Sequence, residues 1–292
     1  MQRPAKAFFR SGRFLARFVV LAMLSMPAAI AADIEVLHAD SLAGPMRALK
    51  AAFEAKHAGV TLKLTPGVSR DLAQKILHGG ACDVFAPSSP AVIDEDLMNK
   101  KLAGSDKEAA TWYVVFSANE MVVITAKGNP LGIRQISDLA KPQVKFARVT
   151  GEKDLATGRT IEFLKRAATQ EGKPELAQKI VDGAPADPAK PTNVPGTVNA
   201  VKDGSANAGV VYYSAAIAAR NDVDIVRFPD SVNMSEAIRN AATVPGTARN
   251  ASEATAFVAF LLTPEAQAIL KDTGQPPVVP PIRKGAVPAS LN

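Results

Sequence analysis

The 292-residue chain has a single cysteine, Cys82, so no disulfide within it can hold the fold, and stability has to come from packing. Cys82 lies in Gly79-Gly80-Ala81-Cys82-Asp83-Val84-Phe85, a turn entering a buried strand, where a thiol is a small apolar filler rather than a nucleophile. Histidine is scarce as well. His38, His57 and His78 show no metal-ligand spacing, and no Gly-x-Ser-x-Gly elbow occurs, since Gly67-Val68-Ser69-Arg70-Asp71 fails that pattern. These gaps argue against an enzyme and against a resident metal or cofactor. Beyond residue 31 no apolar run is long enough to span a bilayer.

An excess of one charge sign is missing too, once the N-terminus is set aside. Arg3, Lys6, Arg10, Arg13 and Arg17 form a basic segment ahead of a short apolar stretch from Phe18 to Met26, and Ala29-Ile30-Ala31 offers small residues for cleavage. Residues 1–31 therefore read as a secretory signal cleaved near Ala31, which places the remainder in the periplasm. The formal charge of +6 falls to about +1 without these five cations, so nucleic acid is not an expected partner. What remains, in a chain that is 47% hydrophobic, can bury one large core or two medium ones.

What the chain does have is a repeated local arrangement. Ile34-Glu35-Val36-Leu37-His38-Ala39-Asp40-Ser41-Leu42 is a strand that stops at a serine and runs into a helical pattern at Leu42, Met46, Leu49 and Phe53. Val60 to Gly67, then Val68-Ser69, then Leu72, Ala73 and Ile76 repeat it. A serine there is commonly just a helix cap. Two such units in tandem can aim two helix N-termini, with unpartnered N–H groups, at one point beyond the carboxyl ends of the strands, where a small anion is the natural guest. Ser88 and Ser89 follow a third strand. Trp112–Phe116 and Met121–Ile124 are apolar strands around Ser117-Ala118-Asn119-Glu120. Val144–Val149 leads through a polar loop into a helix over Thr160–Thr169, and later segments continue the alternation as far as a Pro-rich tail. Such βαβα order means an α/β protein with a mainly parallel sheet, or two of them.

Taken in order, Asp40-Ser41-Leu42, Gly67-Val68-Ser69-Arg70-Asp71-Leu72-Ala73, Cys82-Asp83-Val84-Phe85-Ala86, Thr157-Gly158-Arg159-Thr160, Gly209-Val210-Val211-Tyr212 and Phe228-Pro229-Asp230 resemble the periplasmic molybdate/tungstate-binding proteins of ABC importers, of the type II periplasmic-binding-protein superfamily. The resemblance spans nearly the whole chain after the signal. It implies two α/β lobes, each a mainly parallel sheet flanked by helices, with a ligand cleft between them. Lobe 1 is expected from residues 32–116 plus 228–292 and lobe 2 from 117–227. The family's anion-binding positions fall on Ser41 and Ser69 in lobe 1, and on Thr157, Val194 and Tyr212 in lobe 2, the first two of these through backbone N–H groups and the third through its phenol. Asp40, Ser88 and Asp154 lie where they would line the same cleft. A membrane permease is the implied partner, and a monomer the expected state.

Three features depart from the family pattern. Asp40 stands beside the first serine where small residues are usual, and a carboxylate facing a dianion would be repelled unless it points away or the ligand carries a proton. Arg70 and Asp71 read as a mutual surface ion pair. In the run Phe228 to Met234, Ser231 stands where the tungstate-binding branch has a metal-coordinating Glu, which argues against a six-coordinate site. The pair Tyr212-Tyr213 also resembles ferric-ion-binding proteins of the same superfamily, and sulfate- or phosphate-like anions are the remaining alternative.

Overall fold

The structure is a computed structural model that describes Met1 and residues 32–291. The expected signal segment and its cleavage point lie outside the described residues. The strands are β1 (Ala32–Ala39), β2 (Val60–Gly67), β3 (Val84–Ala86), β4 (Trp112–Ala118), β5 (Met121–Ala126), β6 (Phe146–Ala147), β7 (Ala208–Tyr212), β8 (Val223–Val226), β9 (Arg239–Ala242) and β10 (Pro277–Gly285). The helices are α1 (Ala43–Glu54), α2 (Ser69–Leu77), α3 (Pro90–Asp96), α4 (Ile136–Leu139), α5 (Leu155–Gln170), α6 (Glu175–Asp182), α7 (Val194–Lys202), α8 (Tyr213–Ala218), α9 (Asp230–Asn233), α10 (Ala251–Leu261) and α11 (Pro264–Asp272).

Three sheets form: β2-β1-β3, all parallel; β10-β4-β9, antiparallel; and β6-β7-β5-β8, with one parallel pair. The antiparallel pairings have a simple cause. β4 and β5 are one nearly continuous run, broken at Asn119-Glu120, that leaves one lobe and enters the other, so each half runs against the strands it meets. Met46, Leu49 and Phe53, three and four residues apart, bury one stripe of α1 against Ile34, Val36 and the C-terminal helix residues Phe257 and Leu261. A separate core joins Met121 and Val123 of β5 to Phe163 and Leu164 of α5 and Val210 of β7.

Residues 228–238 pack with the second core through Phe228, Val232, Met234 and Ile238, not with the first as the sequence suggested. The reason is that α9 lies against α5, where Phe163 and Phe228 meet edge to face at 5.1 Å. The Pro-rich tail forms β10, at an edge of its sheet where a missing N–H is tolerated, with a register shift between Pro277 and Ile282. Among the described residues no helix is long and apolar enough to cross a membrane.

Candidate functional site

The C-terminal ends of β1 and β2 each stop where the first-turn N–H groups of a helix begin. Ala39 hands over to the tight turn Asp40–Leu42 and then α1, and Gly67-Val68 to Ser69 at the first position of α2. From the other lobe, α5 starts after Asp154 and α7 after Asn193, whose side chains cap Ala156 N (2.9 Å) and Gly196 N (2.9 Å). β7 ends at Tyr212. These termini enclose a small cavity of about 10 Å³, lined by Ala39, Asp40, Ser41, Gly67, Val68, Ser69, Ser88, Asp154, Val194 and Tyr212. That is far below the 300–1,000 Å³ typical of sites for drug-sized ligands, so only a small guest suits it. A larger concavity lies elsewhere, a solvent-open trough around Arg47, Ile217 and Arg220.

Of the expected residues, Ser41, Ser69, Val194, Tyr212, Asp40, Ser88 and Asp154 thus come together. Thr157 does not line the cavity: its N–H donates to Asp154 O at 3.0 Å and its hydroxyl to Gly151 O at 2.7 Å, so both donors are taken up by its own turn. Asp40 lines it too, as one of the possible lining residues, and does not point away as a donor-only site would need. Arg70 and Asp71 do not pair with each other. Arg70 reaches Glu95 (2.6 Å) and Asp96 (2.8 Å) across to α3, while Asp71 meets Lys153 of the opposite lobe at 3.2 Å. Their side chains diverge because adjacent helical residues point about 100° apart.

Ser41 Oγ is buried, with the residue 3% exposed, and has no hydrogen-bond partner. An orphan hydroxyl of this kind costs about 1–3 kcal/mol until an acceptor arrives. Ser69 Oγ accepts from Ser88 N at 3.2 Å. Tyr212 is 2% exposed, and its OH accepts from Arg159 Nη1 at 2.8 Å, leaving its own proton free to donate. Burial pushes the Tyr212 phenol up, with Arg159 pulling the other way, so it works as a neutral donor. Burial also raises the carboxyl of Asp40. Asp154 is raised first by burial and further by Asp40 and Asp71, against the Ala156 N–H and Arg159.

Arg159 is the residue that the sequence did not single out, although it stands in the quoted Thr157-Gly158-Arg159-Thr160. Besides Tyr212 it reaches Ser88 O at 3.0 Å, so one guanidinium joins the two lobes beside the cavity. Its signal was a cation two residues past the expected donor. Tyr213, the other half of the tyrosine pair, does not line the cavity. Its ring packs under Arg227 at 4.7 Å, so the two phenols do not converge.

The Ser41 backbone is anchored from behind. Its carbonyl accepts from Ser214 Oγ (2.6 Å) and Gln275 Nε2 (3.3 Å). Ser214 Oγ in turn accepts from Asn119 Nδ2 (2.9 Å), and Gln275 Oε1 accepts from Ser117 Oγ (3.2 Å) and from Asn240. Ser117, Asn119 and Asn240 belong to the two places where the chain passes between lobes, so this buried network ties the site to the crossings.

A two-lobed α/β molecule with a small, donor-lined cavity between its lobes has the design of a binding protein. The chain belongs to the bacterial extracellular solute-binding protein family, which matches residues 34–275. A relative from Mycobacterium tuberculosis, "Molybdate-binding protein ModA", is 27% identical over 84% of both chains. Among solved structures, the "Azotobacter vinelandii periplasmic molybdate-binding protein" superposes with a TM-score of 0.64 at 18% identity, covering 85% of this chain and 99% of that one. "The sulfate-binding protein SubI from Mycobacterium tuberculosis H37Rv" does so with 0.65 at 19% identity, covering 85% and 88%. These last two likenesses concern the fold.

Proposed function

We propose that the protein captures a tetrahedral oxyanion of the molybdate or tungstate class outside the cytoplasm and delivers it, unchanged, to the membrane permease of an ABC importer. The observation that carries this reading is the buried, partnerless Ser41 hydroxyl in a small cavity walled by helix N-termini. Hydroxyls, a neutral phenol and first-turn N–H groups offer an anion hydrogen bonds, and each helix end adds a favourable partial charge. The donors are Ser41, Ser69, Tyr212 and the Val194 N–H, with Arg159 closing the lobes; Thr157 drops out. The molybdate-binding relative supports the choice of anion.

In this reading residues 1–31 are the export signal, cleaved near Ala31, and the mature protein acts as a periplasmic monomer. Lobe 1 comprises residues 32–118 and 239–291, and lobe 2 residues 119–238, following the two cores. Native mass spectrometry of protein purified without dialysis should find one oxyanion per chain, and calorimetry should find molybdate and tungstate binding with 1:1 stoichiometry. A protein that binds ferric ion but no oxyanion would overturn the proposal.

A further inference from the structure

We infer that the site takes up its oxyanion together with one proton, held between the anion and the Asp40 and Asp154 carboxyl groups, so that this pair decides which anions are accepted. This rests on the oxyanion reading above. The two carboxyl groups come from opposite lobes, Asp40 from the turn after β1 and Asp154 from the cap of α5, and line the same cavity as the partnerless Ser41 hydroxyl. So small a cavity leaves an anion inside it close to both.

The charged and titratable groups around the pair do not neutralise it. Arg159, on α5, is the nearby cation, and it is engaged with Tyr212 of β7 and with the Ser88 carbonyl. From α2 comes Asp71, tied to Lys153 in the loop before α5. Glu152 and Asp71 line a second, separate concavity just outside, which shares Val68 and Asp154 with the cavity. His38 of β1 is buried, with Nδ1 at 2.9 Å from Ala39 O, and α7 contributes the apolar Val194. With both carboxylates ionised, a dianion would bring four negative charges together against one guanidinium. One proton between a carboxylate oxygen and an anion oxygen turns the worst repulsive contact into a short hydrogen bond. Burial already favours the protonated form of each carboxyl group.

The proton balance follows from the ligand. A bare dianion such as molybdate or sulfate draws the proton from solvent, whereas hydrogenphosphate brings its own. Calorimetry of molybdate binding at pH 7.5, in two buffers of different ionisation enthalpy, should therefore show uptake of close to one proton per anion, with affinity rising up to tenfold per unit fall in pH between 8 and 6. Asp154→Asn keeps a good helix cap, so the fold should survive, and Asp40→Asn is the parallel variant. Either should cut the uptake by half or more and tighten molybdate binding about tenfold at pH 8.

Molybdate binding with no proton uptake and no pH dependence in the unaltered protein would overturn the inference and leave the proposed function standing. Hydrogenphosphate binding without uptake, with no molybdate binding, would overturn the proposed anion and support the proton requirement. Binding of neither anion would overturn both.

Discussion

Ser41 and Ser69 look alike in sequence but sit in different hydrogen-bonding states, and they should respond differently to the same substitution. Ser41→Ala removes a buried hydroxyl that has no partner, so the ligand-free protein should melt at the same temperature or slightly higher, while molybdate binding weakens by about 1–3 kcal/mol. Ser69→Ala also removes the acceptor of Ser88 N–H, so stability should fall by about 0.5–1.5 kcal/mol alongside affinity. Melting curves paired with calorimetry check both, and a Ser41→Ala protein with unchanged affinity would remove Ser41 from the site. Asp154 makes a prediction in pH. Its folded carboxyl is raised above the ordinary carboxylate value, so the folded state holds the proton more tightly and the ligand-free protein loses stability as pH rises through that window. Asp154→Asn should therefore raise the melting temperature at pH 8 and have little effect at pH 4.

At the scale of elements, the two ends of the β1–β3 sheet have been put to different uses. The C-terminal ends carry the site. At the start of β3, Asp83 is 3% exposed and its carboxylate accepts from Glu35 N (2.9 Å), Arg249 N (2.7 Å) and Asn250 N (2.9 Å), joining β1 to the segment that opens α10. Asp83→Ala would strand three backbone donors and should cost about 3 kcal/mol or more, read from urea unfolding. Because Asp83 lies at the end of β3 away from Ser88, the folded fraction should bind molybdate with unchanged affinity. A large affinity loss with normal stability would show that this clamp also shapes the site.

For the whole molecule, the cavity is formed by groups from both lobes, and Arg159 spans them, so an anion bound there would favour the arrangement in which the lobes meet. Small-angle scattering should show a smaller radius of gyration with molybdate than without, and Arg159→Met should lessen that difference and weaken binding. Another contact across the lobes, Asp71 with Lys153, is more than half exposed on both sides, so Lys153→Ala should change affinity by less than about 1 kcal/mol. A ligand at 100 times its Kd adds about 2.7 kcal/mol to the unfolding free energy, which a thermal melt can resolve.

The strand-to-serine-to-helix units were legible because their signals are local. Alternation in Ile34 to Leu37 and the three- and four-residue spacing of Met46, Leu49 and Phe53 act within a few residues, and so does the break before each helix. The sequence alone thereby determined two helix starts carrying serines, the βα alternation and the absence of a disulfide framework. What it could not determine is where long side chains end up. Arg70 turned to α3 instead of to Asp71, Arg159 reached across to Ser88, and Asp40 faced the cavity. Each of these depends on which surface lies several ångströms away, and that surface is supplied by residues far along the chain. The assignment of residues 228–238 to the second core has the same origin, since only the packing of α9 on α5 decides which lobe that segment joins. Local sequence sets the backbone period and the helix ends, whereas the charge balance of the cavity is a property of two lobes brought together, and only the tertiary structure decided it.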